Sequence, residues 1–381
     1  MSDKQVFNKL NLMLKTKQTT RAETTINLAN LQHNFNEIKK NFPTKKILAV
    51  IKNNAYGHGL IQCGKTLNSA DFLGVADMKE AHTLRQHIQT PLVVMGGLWS
   101  DYEFFTATNE NIFPIIYETT QLNDLLNSTY FPTTPIDIWI KIDTGMNRLG
   151  IPMSAAMHHL QQLNNHPLIK TITVVTHFAN ADKKHCTFME QQIKSLINLK
   201  TQCKQLNKIS YLSTANSSTL INYPEIAGDI IRPGLLLYGV SPIQFDTSTL
   251  PLHIKPVMTF NSHIITIKHI KPGESVGYGS RWVASKPTTI GIIALGYGDG
   301  YDRYAQDGTP VIVNDQKAFI AGRVSMNFTS IDITHLPNIK IGDTVTLWGD
   351  QLPIENLEQF NKSSAYDMLI SAGSKSVSTF S

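Results

Sequence analysis

Only three of the 381 residues are cysteines, Cys63, Cys186 and Cys203. Their odd number and the lack of metal-type spacing argue against a disulfide framework or a cysteine-ligated metal, and for a reducing compartment, so the cytoplasm is the expected location. No run of eighteen apolar residues occurs, so no membrane span is expected. A repeat of fixed period is missing too, which excludes solenoids and repeat arrays. Charge of one sign is also scarce once it is located. The net charge of +5 suggests an anionic partner, but Lys4, Lys9, Lys15, Lys17 and Arg21 face Asp3 alone in the first twenty-one residues. The rest is nearly neutral and lacks the basic stripe of a nucleic-acid binder. Asn8, Lys9 and Asn11 interrupt the apolar residues of this tail, and no small-residue cleavage site follows, so it does not read as a secretion signal.

What is present describes a globular enzyme-sized chain, 41% apolar and 17% charged. From Thr24 onward, short apolar runs alternate with helical patterns. The runs are Ile47–Ile51, Phe72–Ala76, Leu92–Met95, Ile112–Ile116, Ile136–Ile142, Ile172–Val175, Ile209–Leu212 and Asp229–Ile231. Helical spacing separates them, as in Asn30–Phe42, Met78–His87, Met153–Leu163 and Phe188–Leu206. Eight strand–helix units predict a closed (β/α)8 barrel of the TIM type. After residue 250 the runs become short and turn-separated, with Pro272-Gly273, Asp307-Gly308 and Gly342-Asp343 as punctuation, which predicts a second, mainly β domain. The expected organisation is a tail (1–20), an α/β barrel (21–250) and a β domain (251–381).

A barrel places reactive side chains just past the C-terminal ends of its strands. Five polar, glycine-bearing segments fall there. Lys52-Asn53-Asn54-Ala55-Tyr56-Gly57-His58-Gly59 follows the first strand, and Lys141-Ile142-Asp143-Thr144-Gly145-Met146-Asn147-Arg148 closes and follows the fifth. Thr176-His177-Phe178, Ser213-Thr214-Ala215-Asn216-Ser217-Ser218 and Arg232-Pro233-Gly234 follow the sixth, seventh and eighth. A lysine at a strand end is either a snorkelling surface cation or an amine available for covalent catalysis, and position alone leaves both open. A lone tyrosine such as Tyr56 is ordinarily core or rim, a lone histidine such as His177 a satisfied structural residue, and Lys141 with Arg148 a solvated pair. One further pattern, Gly59-Leu60-Ile61-Gln62-Cys63-Gly64-Lys65-Thr66, fits a nucleotide phosphate loop. Its central residues read as helix and it begins well past the strand end, so it is set aside.

The Lys52 segment closely resembles the pyridoxal-phosphate lysine motif of the alanine racemase family. The other four segments resemble the corresponding family words in the same order, and so do Glu274–Ser280, Gly296–Tyr301 and Gly322–Met326. The resemblance runs from about Arg21 to about Asp367. It implies a fold-type III, PLP-dependent isomerase that interconverts L- and D-alanine and supplies D-alanine for peptidoglycan, as a homodimer, with no metal, membrane or nucleic-acid partner. Lys52 would anchor the cofactor and act as one base, with Tyr278 as the other, donated in trans by the partner subunit. Tyr56, Asn216, Ser217, Gly234 and Leu235 would bind the cofactor, its phosphate above all. His177 would stack near its ring, and Arg232 would face the ring nitrogen. Arg148 and the Met326 amide would hold the substrate carboxylate. Lys141 corresponds to a lysine that is carbamylated in some members. Asp182, Tyr297, Arg303 and Arg323 would line the entrance. A broader-specificity amino-acid racemase of the same fold is the alternative.

The chain departs from the family pattern in places. Asn327 replaces an aspartate, a tyrosine found near Ala372 in some members is missing, and Gly373–Ser378 replaces an arginine-rich ending. These changes bear on the entrance and thus on selectivity.

Overall fold

A computed structural model describes residues 21–97, 100–130, 133–243 and 252–381, so the expected tail lies outside the described residues. The chain forms two units, Asn27–Val257 and Met258–Phe380, the latter joined by the segment ending at Ile26.

The first described strand is β1 (Glu23–Ile26). In the first unit follow β2 (Lys46–Val50), β3 (Phe72–Val75), β4 (Leu92–Val94), β5 (Ile112–Ile116), β6 (Ile136–Asp143), the short β7 (Ile151–Pro152), β8 (Ile169–Val175), β9 (Ile209–Ser213) and β10 (Ile230–Ile231). They pair in parallel in the order β10-β2-β3-β4-β5-β6-β8-β9, with β7 beside β6. The Arg232 N–H donates to the Ala215 carbonyl at 2.8 Å, and an Asn216–Arg232 bridge joins the two ends, leaving a nearly closed (β/α)8 barrel. All eight expected strands are present. Their apolar runs are continuous because a barrel strand is covered inside and out: Trp139 on one face of β6 is as buried as Ile138 and Ile140 on the other. Helices fill the connections, among them Leu28–Asn41, Met78–Arg85, Met153–Asn165 and Thr187–Gln202. Gly64, Lys65 and Thr66 of the nucleotide-loop pattern close the helix Leu60–Thr66 instead of preceding it, so they offer no amide cradle to a phosphate.

The second unit holds β11 (Met258–Ile270), β12 (Ser275–Val276), β13 (Trp282–Val283), β14 (Thr288–Ile293), β15 (Pro310–Val313), β16 (Gln316–Ile320), β17 (Thr329–Asp332), β18 (Thr344–Trp348) and β19 (Val377–Phe380). Its sheet runs β14-β17-β16-β15-β18-β11-β1-β19, with β14 also pairing β11. The boundary differs here from the expected one. Residues 21–26 were grouped with the barrel, but β1 pairs antiparallel with β11 and parallel with β19. The reason is backbone satisfaction: β1 can complete its ladder only between two strands that lie more than two hundred residues away.

Candidate active site

Lys52 ends β2 and opens a turn of uncommon geometry. Asn53, Asn54, Ala55 and Tyr56 all have φ near +54°, a left-handed turn of four non-glycine residues. Such a conformation costs about 1–2 kcal/mol for an ordinary residue, less for asparagine, and persists only when its surroundings over-determine it. Several bonds do so. The Asn54 N–H donates to Glu80 Oε1 at 2.8 Å, and Asn54 Oδ1 accepts from the Leu60 N–H at 2.8 Å. His58 Nδ1 reaches the carbonyls of Ala55 and Tyr56 at 3.1 and 3.0 Å. Tyr56 and His58 both pack on Tyr238, with ring centroids 4.9 and 4.4 Å away.

This packing has a measurable consequence. His58 is fully buried, with Nδ1 donating and Nε2 unpartnered, and burial pushes its pKa down to about 4 from 6.5. The folded state therefore holds His58 neutral. Below pH 6.5 the unfolded chain takes up a proton that the fold refuses until about pH 4, so stability falls across that window as pH drops. The loss is about 3 kcal/mol at 1.36 kcal/mol per unit. Urea titrations at pH 7 and pH 4 should show wild type losing that much more than His58→Asn; equal losses would show that His58 has no such role.

Across the barrel mouth, the helix Ser217–Asn222 is capped by Asn216, whose Oδ1 accepts from the N–H and hydroxyl of Thr219. Asn216 thus takes the capping role, and the next residue, Ser217, is the first of the helix. Ser217 Oγ is freed to accept the N–H groups of Gly234 at 2.9 Å and Leu236 at 3.4 Å. A Cβ at position 234 would stand 2.7 Å from the Tyr56 hydroxyl, so only glycine lets this backbone approach the phenol. Tyr56, Ser217 and Gly234 meet as a result in one small polar cluster, with Leu235 next in the chain.

Arg232 is buried, and both of its terminal guanidinium nitrogens form hydrogen bonds. It donates to Ser213 Oγ (2.8 Å), the Thr176 carbonyl (2.7 Å) and the Thr214 carbonyl (3.2 Å), and lies 3.4 Å from His177 Nδ1. Burial lowers its pKa to about 10, so it remains cationic at neutral pH. Burial, then Arg232, Lys141, Arg148 and Lys52, hold His177 well below its ordinary pKa and therefore neutral. Because the guanidinium only donates, His177 Nδ1 is the acceptor in this contact.

Four cations share this mouth. Burial and Arg148 lower the Lys52 pKa, with Glu80 acting against them. Burial, Arg148, Arg232 and Lys52 bring Lys141 down to about 8 despite Asp143. None of the four forms an ion pair among the described residues. Arg148 is exposed beyond β6, and so is Asp182 beyond β8.

Two positioning side chains in this unit escaped the sequence reading. Gln192 is buried on the helix Thr187–Gln202; its carbonyl accepts from the Ala179 N–H, and its amide donates to the His177 carbonyl at 3.2 Å and to Thr144 Oγ1 at 3.4 Å. It ties the loop after β6 to the loop after β8. Glu80 is the second. Neither carries a local signal, since a glutamine or glutamate on an amphipathic helix ordinarily reads as solvated surface.

The remaining candidates belong to the second unit. Tyr278 is 71% exposed on a tight turn between β12 and β13, where Gly277 and Gly279 on either side have φ of +75° and +71°. Positive φ on both sides is what presents the phenol outward. Tyr278, Tyr297, Arg303, Arg323 and Met326 line one cavity of about 780 Å³ together with Lys362. Arg303 lies 5.3 Å over the Tyr297 ring. Arg281, three residues after Tyr278, pairs with Asp307 at 2.9 Å and donates to the Gly322 carbonyl at 3.0 Å, which anchors this turn beside Arg323.

The chain is thus a parallel barrel with an amine at its first strand end and cations at its mouth, followed by a mainly antiparallel domain bearing an exposed tyrosine. The comparisons agree. Residues 26–242 match the alanine racemase N-terminal domain and residues 257–379 the alanine racemase C-terminal domain. The chain is 39% identical over 355 residues to the alanine racemase of Coxiella burnetii (strain RSA 331 / Henzerling II), covering 92% of this chain and 96% of that one. The biosynthetic alanine racemase of Pseudomonas aeruginosa superposes with a TM-score of 0.89 at 32% identity, covering 95% of this chain and 99% of that one. The alanine racemase of Bartonella henselae, solved with covalently bound pyridoxal phosphate, superposes with a TM-score of 0.83 at 25% identity, covering 95% and 99%. The chain belongs to the alanine racemase family and is an isomerase.

Proposed function

We propose that this chain interconverts L-alanine and D-alanine with pyridoxal 5'-phosphate, as a cytoplasmic homodimer that supplies D-alanine for peptidoglycan. The observation that carries this reading is the set of four cations at the barrel mouth, none in ion-pair contact with a carboxylate among the described residues, Glu80 and Asp143 offsetting only part of their charge. Cations brought together at partly buried positions are unfavourable until anions join them. A phosphate group and a substrate carboxylate are such anions.

The cradle suits the cofactor. The Ser217 and Tyr56 hydroxyls and the Leu235 N–H offer donors for a phosphate, the Gly234 N–H would join them by exchanging its bond to Ser217 Oγ, and Gly234 leaves the space a Cβ would fill. Lys52 offers a half-buried amine whose lowered pKa enlarges its neutral, nucleophilic fraction. When bound, pyridoxal phosphate supplies an electron sink that acidifies the substrate Cα–H. Arg232 would face the ring nitrogen, and because a guanidinium can only donate, that nitrogen would carry no proton and the sink would be moderated, which disfavours side reactions. Racemisation requires a proton to leave one face of Cα and another to arrive on the opposite face. Lys52 Nζ serves one face and the Tyr278 hydroxyl the other, with Tyr278 coming from the partner subunit. His177, neutral and bonded to Arg232, orients the proton-transfer network. Arg148 and the Met326 N–H hold the substrate carboxylate. Lys141, with a pKa of about 8, keeps enough neutral amine to react with carbon dioxide, and the resulting carbamate would steady Arg148. Asp182, Tyr297, Arg303 and Arg323 screen the entrance.

The test is racemisation of an amino-acid panel by the purified yellow protein. Enantiomers have equal free energy in water, so L-alanine and D-alanine should each run to an equal mixture. Larger amino acids processed as fast as alanine would make it a broad racemase, and colourless protein that leaves alanine untouched would end the proposal.

A further inference from the structure

We propose that Glu80 is a positioning residue for the cofactor site, clamping the left-handed turn that carries Lys52 and Tyr56 to the end of the neighbouring strand. The inference rests on the cofactor-site reading above. Glu80 lies in the first turn of the helix Met78–Arg85, whose N-cap is Asp77. One carboxylate oxygen, Oε2, accepts from the Ala76 N–H just past β3 at 2.8 Å. That bond alone would make Glu80 an ordinary helix-start residue. The other oxygen, Oε1, reaches 26 residues back to the Asn54 N–H, also at 2.8 Å.

This second bond falls inside the strained segment. Asn53, Asn54, Ala55 and Tyr56 hold left-handed angles in succession; the Ala55 and Gly57 N–H groups donate within the segment, to the Ile51 and Asn53 carbonyls at 2.8 and 3.1 Å, whereas the Asn54 N–H is satisfied by the Glu80 side chain. Asn54 is held at both ends: its N–H by Glu80 and its Oδ1 by the Leu60 N–H. Releasing the first lets the turn relax toward commoner angles. Lys52 at one end would then shift against Tyr56 at the other, and Tyr56 would leave its place beside Gly234 and Ser217. The Glu80 charge also lies close enough to oppose the effects of burial and Arg148 on the Lys52 amine. A single carboxylate thus joins two strand ends of the barrel, holds strained backbone and favours the charged form of the anchoring lysine.

The experiment compares wild type, Glu80→Gln, Ala55→Gly and the double variant as holoenzymes. Glu80→Gln keeps one oxygen acceptor and nearly the same shape, but its NH2 group opposes one of the two N–H donors. Pyridoxal-phosphate release on dilution should be at least tenfold faster in Glu80→Gln and kcat at least tenfold lower, while KM for alanine stays within about twofold because its carboxylate is held elsewhere. Ala55 stands at φ +54°, where glycine relieves the strain that the clamp resists. The double variant should therefore regain most of the lost cofactor retention and kcat. A helix-start role alone predicts a lower melting temperature with cofactor retention unchanged, and no recovery through Ala55→Gly. Folded Glu80→Gln with wild-type cofactor retention and kcat overturns the inference. Should Glu80→Gln fail to fold, Ala55→Gly must restore folding, and failure to restore it overturns the inference as well. Wild-type protein that holds no cofactor would instead overturn the function proposed above.

Discussion

Lys52→Ala should leave no measurable racemisation, a loss of at least about a thousandfold, and should lose the covalently held cofactor with it. The expectation follows from placement. The amine stands at the C-terminal end of β2, half-buried, within the influence of Arg148 and Glu80, on a turn whose geometry the surrounding bonds enforce. No other lysine near this mouth is equivalent. Lys141 lies on β6 with Asp143 and Arg148 close by. Borohydride treatment of wild type followed by peptide mass analysis should place the pyridoxyl label on the Lys52 peptide alone. A Lys52→Ala protein that kept both the visible absorbance and full activity would remove Lys52 from the chemistry, and a label on Lys141 would reassign the anchor.

Tyr278→Phe should lower kcat by about 10²–10⁴, the range for one positioned acid–base group, and leave cofactor binding intact. Phenylalanine preserves the ring and removes only the hydroxyl, so the effect isolates proton transfer. The more informative experiment mixes the two inactive proteins. With Tyr278 donated by the partner subunit, Lys52→Ala and Tyr278→Phe chains that exchange subunits form mixed dimers holding one intact site and one doubly damaged site. Random pairing makes half the dimers mixed, so recovery should approach roughly a quarter of wild-type activity, as for equivalent sites in a two-fold assembly. If both groups came from one chain, every site would lack one of them and mixing would restore nothing. The exposed phenol, presented on a turn between two glycines, is the structural feature that suits donation to another chain.

The sequence by itself determined the barrel, the change of texture to a β domain, and the segments that compose the site. Each of these rests on local information. A strand covered on both faces must be a continuous apolar run, and a catalytic barrel places its polar and glycine residues just past such runs. The dismissal of Gly59–Thr66 as a nucleotide loop was legible for the same reason, since its helical pattern is local. Only the tertiary structure decided the rest. It moved β1 out of the barrel, because its hydrogen-bond partners at Met258–Asn261 and Val377–Phe380 leave no trace in residues 23–26. It gave the cap to Asn216 and freed Ser217 to accept Gly234, a choice made by an amide seventeen residues away. It joined β9 to β10 through the Arg232 backbone and set His177 Nδ1 beside the Arg232 side chain. It also revealed Glu80 and Gln192, which look like surface residues of their helices until the loops they hold are seen. The physical reason is common to all of these. Propensity and periodicity act between neighbours in the chain, whereas a buried polar group must find its partner wherever the fold has brought one.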